Sequence, residues 1–443
     1  MIETSIFVFI WQVIKSWYWV LPPFVLLFFS IKALLWWRRE QWEKKQKYIL
    51  LEIIPPKEVL QTFQAMEQIF SSIWGIHSSI EGFKNLGKKW GSGKKLQRFS
   101  LEIIGLANKP HMLIRCFEGH EETIRAALYA QFPELEIVRV EDYINFVPQN
   151  IPNEEWDMYG FDEVLINQDV YPIKTFDQFF EKRPESIKEE KRIDPLNTLL
   201  EGIDELKPGE QIWVQINVAP VSPDDNSYLK RGRALIERLT HRREGKNQSS
   251  PQSKEDKGFV PPEMKLTARE REVVNAIETK ISKQIFEVGI RCIYLAKRSL
   301  FKKERKSLAE QFFTGLGVQD LNGFKKWRKT KTRVYFYHLF GKSFNYLKKR
   351  QIFKRYLLRE APLYPKRDGI FILNTEELAT IFHLPFNVEA VGTYLPRVSS
   401  RKGEAPAELP TEGEVEERSL SSDYQKRPSI AKKTGEPPPE LPT

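Results

Sequence analysis

One stretch constrains this chain more than any other: Ser16 to Trp37 reads SWYWVLPPFVLLFFSIKALLWW, 22 residues with Lys32 as the only charge. As a helix at 1.5 Å per residue it would reach roughly 33 Å, about one hydrocarbon core. Trp17, Tyr18 and Trp19 stand at one end and Trp36 and Trp37 at the other, where amphipathic rings favour the headgroup layer. Arg38, Arg39, Lys44, Lys45 and Lys47 follow, against Lys15 and Glu3 ahead. The expectation is a transmembrane helix in the cytoplasmic membrane, with the bulk of the chain in the cytoplasm. Its interface residues are Trp17, Trp19, Trp36, Trp37, Arg38 and Arg39. No cleavage site of small residues is visible, so the anchor (1–47, with its basic flank) is expected to stay attached. Pro22 and Pro23 predict a kink.

Behind the anchor the hydrophobic period switches between 2 and 3.6 in a repeating order. Residues 47–56 read as a strand, and 57–76 as an amphipathic helix with Val59, Leu60, Phe63, Met66, Ile69, Phe70 and Ile73 on one face. QRFSLEIIGL and HMLIRCFE read as a hairpin turning at 108–110, 120–132 as a helix and 135–143 as a strand. This β-α-β-β-α-β order predicts a ferredoxin-like domain over 48–147. The order recurs over 148–340: strand 160–174, helix 194–206 with Asp194 as N-cap, strand 210–220, a helical insertion at about 221–283, strand 286–298, helix 301–316 and a last strand near 329–338. A basic helical connector with a strand and a helix capped at Asn374 or Thr375 fills 341–395. The remaining 396–443 is a proline-rich tail expected to be disordered, carrying EAPAELPT and EPPPELPT as a near-duplicate. The fold class is thus α+β: an N-terminal transmembrane helix, two ferredoxin-like domains and a disordered tail.

Recognisable reaction chemistry is missing. Six scattered histidines lack HExxH or HxH spacing, and Cys116 and Cys292 cannot build a disulfide framework or a four-cysteine zinc site. The loop GKKWGSGKK at 87–95 fails as a phosphate-binding loop, because five residues separate Gly87 from Gly93-Lys94 and Lys95 stands where a Ser or Thr should hold Mg²⁺. No nucleophile elbow or paired-carboxylate motif can be read. The expectation is a chain without catalytic residues, metal or cofactor.

Charge is segregated along the chain. Residues 134–210 hold 20 Asp and Glu against 8 Lys and Arg, and 283–367 hold 23 Lys and Arg against 5 Asp and Glu. Such polarity points to an anionic partner for the second region, or to pairing between the two within one molecule or between neighbours. Within the second region Lys325, Lys326, Arg328, Lys329, Lys331 and Arg333 interleave with Trp327, Tyr335, Phe336 and Tyr337. Cations with rings suit a single-strand nucleic-acid contact, and equally a strand with a basic outer face.

The anchor, the stretch at 100–143, QIWVQINVAP and above all LNTEELATIFHLP at 373–385 with its PPPELP-type tail resemble one family: the membrane-anchored N-terminal region of type IV secretion or conjugation-type ATPases of the HerA/FtsK superfamily in candidate-phylum bacteria. The resemblance covers essentially residues 1–443. In that family the motif leads into a motor with Walker motifs, which this chain lacks, so no nucleotide-binding residue carries over. The resemblance implies an anchoring and assembly role in a translocating machine. The expected partners are the lipid bilayer, further copies of the chain and a separate HerA/FtsK-like ATPase, with DNA as the alternative partner of the basic region.

Overall fold

The computed structural model describes residues 21–56, 63–76, 98–106, 108–179, 194–222, 227–246, 266–333, 341–360 and 369–385. The expected glycine loop at 87–95, the rings 335–337 and the tail 396–443 lie outside them. Strands are β1 Tyr48–Ile54, β2 Phe99–Leu106, β3 Lys109–Phe117, β4 Glu136–Val140, β5 Trp156–Leu165, β6 Glu210–Val221, β7 Ile285–Lys297, β8 Phe324–Lys326 and β9 Phe371–Asn374. Helices are α1 Leu21–Lys45, α2 Phe63–Trp74, α3 Glu121–Gln131, α4 Asn197–Asp204, α5 Tyr228–Lys246, α6 Ala268–Ser282, α7 Ser307–Gly315, α8 Gly341–Leu357 and α9 Thr375–Ile381.

The strands form a single antiparallel sheet in the order β4-β1-β3-β2-β6-β7-β5-β8, with β9 added on β7. Each half repeats the chain order β-α-β-β-α-β, and in each the first and third strands lie side by side in the middle. The halves meet edge to edge: β2 pairs with β6 from Phe99↔Val218 to Gly105↔Ile212. Pairing one exposed edge with the other satisfies backbone groups that two separate sheets would leave open. The expected pair of domains is in this sense one sheet.

Alternation along the strands sends Leu51, Ile53, Leu101, Ile103, Val214, Ile216, Ile290 and Cys292 into the larger core under α2, α3, α4, α7 and α9. The opposite face gathers Leu50, Ile104, Leu113, Trp213, Ile293 and Leu295 with Ile352, Phe353 and Tyr356 of α8. Both faces are covered, so the strands read as long apolar runs. Gly105 is needed where α4 crosses β2, because a Cβ there would stand 2.7 Å from Ile203 Cγ2. The insertion helices α5 and α6 make a third cluster with Val170, Val221, Ile285 and Ile372. Thr267 starts α6 with a capping box to Glu270.

Three expectations are corrected. Strand β5 ends at Leu165 rather than running to 174, because Val170 and Ile173 are buried from a loop, not from a ladder. The last strand of the second half is Phe324–Lys326: of the expected 329–338, the described residues 329–333 are not strand, with Thr330 and Thr332 accepting from the β5 edge through their side chains, and 334–338 lie outside the described residues. The transmembrane helix is not supported as drawn. Among the described residues no helix is long and apolar enough to cross a membrane. In α1, Lys32 interrupts the apolar run and Arg38, Arg39 and Glu40 end it, while residues 16–20 of the expected span lie outside the described residues.

Candidate functional site

The motif at 373–385 is built into the core. Strand β9 pairs with Ile285–Val288 of β7, the part of β7 that β5 does not reach. Asn374 then caps α9: its Oδ1 accepts from Glu377 N at 2.8 Å, while Glu377 Oε2 accepts from Asn374 N at 2.9 Å. The same Glu377 accepts from Ile173 N at 2.8 Å and lies 3.0 Å from Lys280 Nζ of α6, both side chains 0% exposed. Lys280 also donates to the carbonyls of Tyr171 and Ile372, each at 3.2 Å. Burial pushes the Glu377 carboxyl up, and Lys280 works against that shift. A charge pair this deep is tolerated because its remaining hydrogen-bond capacity is used.

The rest of the motif reaches both halves. Lys283 bridges Glu67 of α2 at 2.7 Å and Glu376 at 2.8 Å. Thr380 Oγ1 accepts from Phe176 N at 3.1 Å. His383 Nε2 lies 2.9 Å from Asp194 Oδ1, and its Nδ1 faces the carbonyls of Ala379 and Thr380 at 3.2 and 3.1 Å. Carbonyls only accept, so Nδ1 is the donor toward them. Asp194 does not cap α4 as expected; its carboxylate accepts from Leu196 N ahead of the helix and holds His383 instead.

On the other face the connector is clamped by a second ionic group. Helix α8 ends in a Schellman turn, Glu360 N to Arg355 O at 3.1 Å and Arg359 N to Tyr356 O at 2.9 Å. Arg359 occupies the left-handed position at φ 50°, where glycine is usual. Its guanidinium donates to Glu102 at 2.8 and 3.2 Å and to Asp142 at 2.6 and 2.8 Å. Tyr143 donates to the same Glu102 at 2.8 Å and shares a hydrogen bond with Tyr356 at 2.7 Å. Burial alone would depress the Arg359 pKa, but Glu102 leads the charges and hydrogen bonds that raise it on balance.

The basic stretch is divided by the fold. Lys325 is exposed and donates to Ile166 O at 3.3 Å. Lys326 pairs with Glu310 of α7. Arg328, Lys329 and Arg333 are exposed, and Lys331 is half-buried between the buried Thr330 and Thr332. Trp327 is 7% exposed, so it packs inward and offers no stacking face. Lys306 and Glu163, which no motif singles out, come to the same edge: Lys306 Nζ lies over the Tyr159 ring and Glu163 stands across the strands from Lys326. Pairing residues 163 and 326 needs the β5–β8 register, which local pattern does not contain.

Of the expected interface residues, Trp37 is exposed and Arg38 half-buried on α1, in line with exposed Phe24, Leu26, Leu27, Phe28, Phe29 and Leu34. Trp17 and Trp19, and the side chains of Trp36 and Arg39, lie outside the described residues. The two charged regions meet within the chain: Asp142 with Arg359, Asp157 with Lys349 at 2.6 Å, Asp162 with Arg291 at 2.7 Å, and Glu205 and Glu210 with Arg305. The thiols are buried and unactivated, that of Cys116 pushed up to about 12 by burial. Among the described residues no group of three or more metal-ligating side chains is assembled. No protein-family model and no curated protein matches the chain.

Proposed function

We propose that this chain is a membrane-attached, non-catalytic platform subunit of a type IV secretion- or conjugation-like translocation machine. Its two halves act as fused ferredoxin-like units, and residues 16–37 attach it to the bilayer. Copies assemble on the membrane, and a separate HerA/FtsK-like ATPase docks on them. The observation that carries this reading is the seat of 371–384. The segment that in the resembling family leads into the motor is here gripped by α2, α6, β7 and Asp194 together. A load applied beyond residue 385 would pass directly to the shared sheet. The exposed apolar run of α1 supports bilayer contact, because a soluble helix rarely leaves so many large side chains in water.

The test is fractionation and sidedness in intact cells. The full-length protein is expected in the carbonate-resistant membrane fraction, with a reporter fused after Lys47 on the cytoplasmic side. A protein that stays in the soluble fraction overturns the reading. A second reading, nucleic-acid binding, is favoured by the concentration of cations along 325–333.

A further inference from the structure

The edge formed by α7 and β8 gathers three lysines that the platform reading leaves unused, Lys306, Lys326 and Lys331. Lys306 Nζ lies 5.2 Å from the Tyr159 ring centroid and Lys326 Nζ 5.2 Å from that of Phe161, and the two rings are 5.8 Å apart. Two ammonium groups therefore stand over adjacent rings of β5. Lys331 is brought alongside by the backbone from Trp327 to Thr332, which follows the open edge of β5 through Trp327 N to Asp162 O at 2.8 Å and Thr332 N to Gly160 O at 3.0 Å. Burial lowers the Lys331 pKa first, and the like charges of Lys326 and Arg333 lower it further. Lys306 adds to that repulsion and Glu310 opposes it.

Among the described residues, the acidic groups near Lys306, Lys326 and Lys331 are themselves paired or buried. Glu310 of α7 is paired with Lys326, and Asp162 of β5 with Arg291. Cys292 of β7 is a buried thiol, its pKa raised by burial. Glu163 is 1% exposed, and its Oε2 has no hydrogen-bond partner among the described residues. Burial, with Glu310 second, pushes this carboxyl up to about 8. Below that pH it is neutral, and Lys306, Lys326, Lys331 and Arg333 then stand beside the Glu310 that pairs with Lys326. Part-buried like charges repel strongly unless an anion joins them. Exposed Lys325, Arg328 and Lys329 continue the row, which is longer than one small anion needs.

We propose that this edge binds the backbone phosphates of a single-stranded nucleic acid, with Lys306, Lys326 and Lys331 as the contacts and Glu163 as the residue whose protonation sets the charge of the site. The proposal rests on the second reading above and adds to it a site and a control. Because Trp327 faces inward, binding is read through phosphates rather than stacked bases, so it is indifferent to sequence and steep in salt.

The experiment uses the full-length protein in mild detergent with a labelled oligothymidylate, followed by fluorescence anisotropy against salt and pH, with inorganic phosphate as competitor. Replacing Lys306 and Lys331 together by Gln is expected to weaken binding about tenfold or more and to lower the salt slope by about 1.4. Wild-type affinity is expected to fall several-fold between about pH 6.5 and pH 9, and Glu163→Gln to remove most of that fall. Unchanged affinity and slope in the double lysine variant overturn the site. An equal pH dependence in Glu163→Gln overturns the control. Binding of phosphate without binding of the oligonucleotide overturns the nucleic-acid occupant. The oligomeric mass of the same samples reports separately on the platform reading, since these lysines can lose the oligonucleotide while assembly persists.

Discussion

Glu163 and Arg359 show what single residues contribute. The carboxyl of Glu163 has a folded-state pKa of about 8, above its ordinary value, so the native state binds its proton more tightly than the unfolded chain does. Stability from this group is therefore complete at acid pH, falls as pH rises from the ordinary carboxylate range through about 8, and is flat above. Glu163→Gln should remove that slope, gaining on the order of a few kcal/mol relative to wild type at alkaline pH. Urea unfolding across that range checks it, and parallel slopes in the two proteins would contradict it.

At Arg359 two effects oppose each other: the left-handed backbone favours glycine, and the bidentate pairs to Glu102 and Asp142 favour arginine. Removing a partner from a buried ion pair costs about 3–5 kcal/mol, whereas the backbone preference is worth about 1 kcal/mol. The ion pairs should win. Arg359→Ala is expected to lose several kcal/mol and Arg359→Gly slightly less, measured by urea unfolding. A glycine variant as stable as wild type would mean that Glu102 finds other partners.

At the scale of elements, α4 crosses β2 closely at Gly105. Gly105→Ala forces a Cβ against Ile203 and should cost about 1–3 kcal/mol. Ile203→Ala in the same chain should restore part of that loss, a coupling that a double-mutant cycle measures. Elements with strict periodicity were legible from the amino acids alone: β2 and β3 as a hairpin, α2 by its 3-and-4 spacing, and α9 with its cap at Asn374 or Thr375. Those that failed did so where tertiary partners override local pattern. Val170 and Ile173 look like strand residues yet are buried from a loop, and β8 shrinks to three residues because Thr330 and Thr332 replace ladder bonds with side-chain ones. The candidate site was legible only in Lys326 and Lys331. Glu163, Glu310 and Lys306 reach them through strand register and helix docking, which span more than a hundred residues between Glu163 and Glu310.

For the whole molecule, the seam between β2 and β6 turns two similar halves into one sheet, and the buried 371–384 segment ties that sheet to whatever follows. Much of the charge segregation is spent on pairs inside the chain, so the proposed assembly between copies would draw on exposed charge such as Lys325. Attachment to one membrane would raise the effective concentration of neighbours and let weak, electrostatically steered contacts suffice. The central claim is that the chain works as an assembly platform. The mass of the full-length protein in mild detergent, measured by light scattering at low and at high salt, tests it most directly: the expected result is an oligomer at low salt that dissociates as salt rises, and a protein that is monomeric at low salt would contradict it.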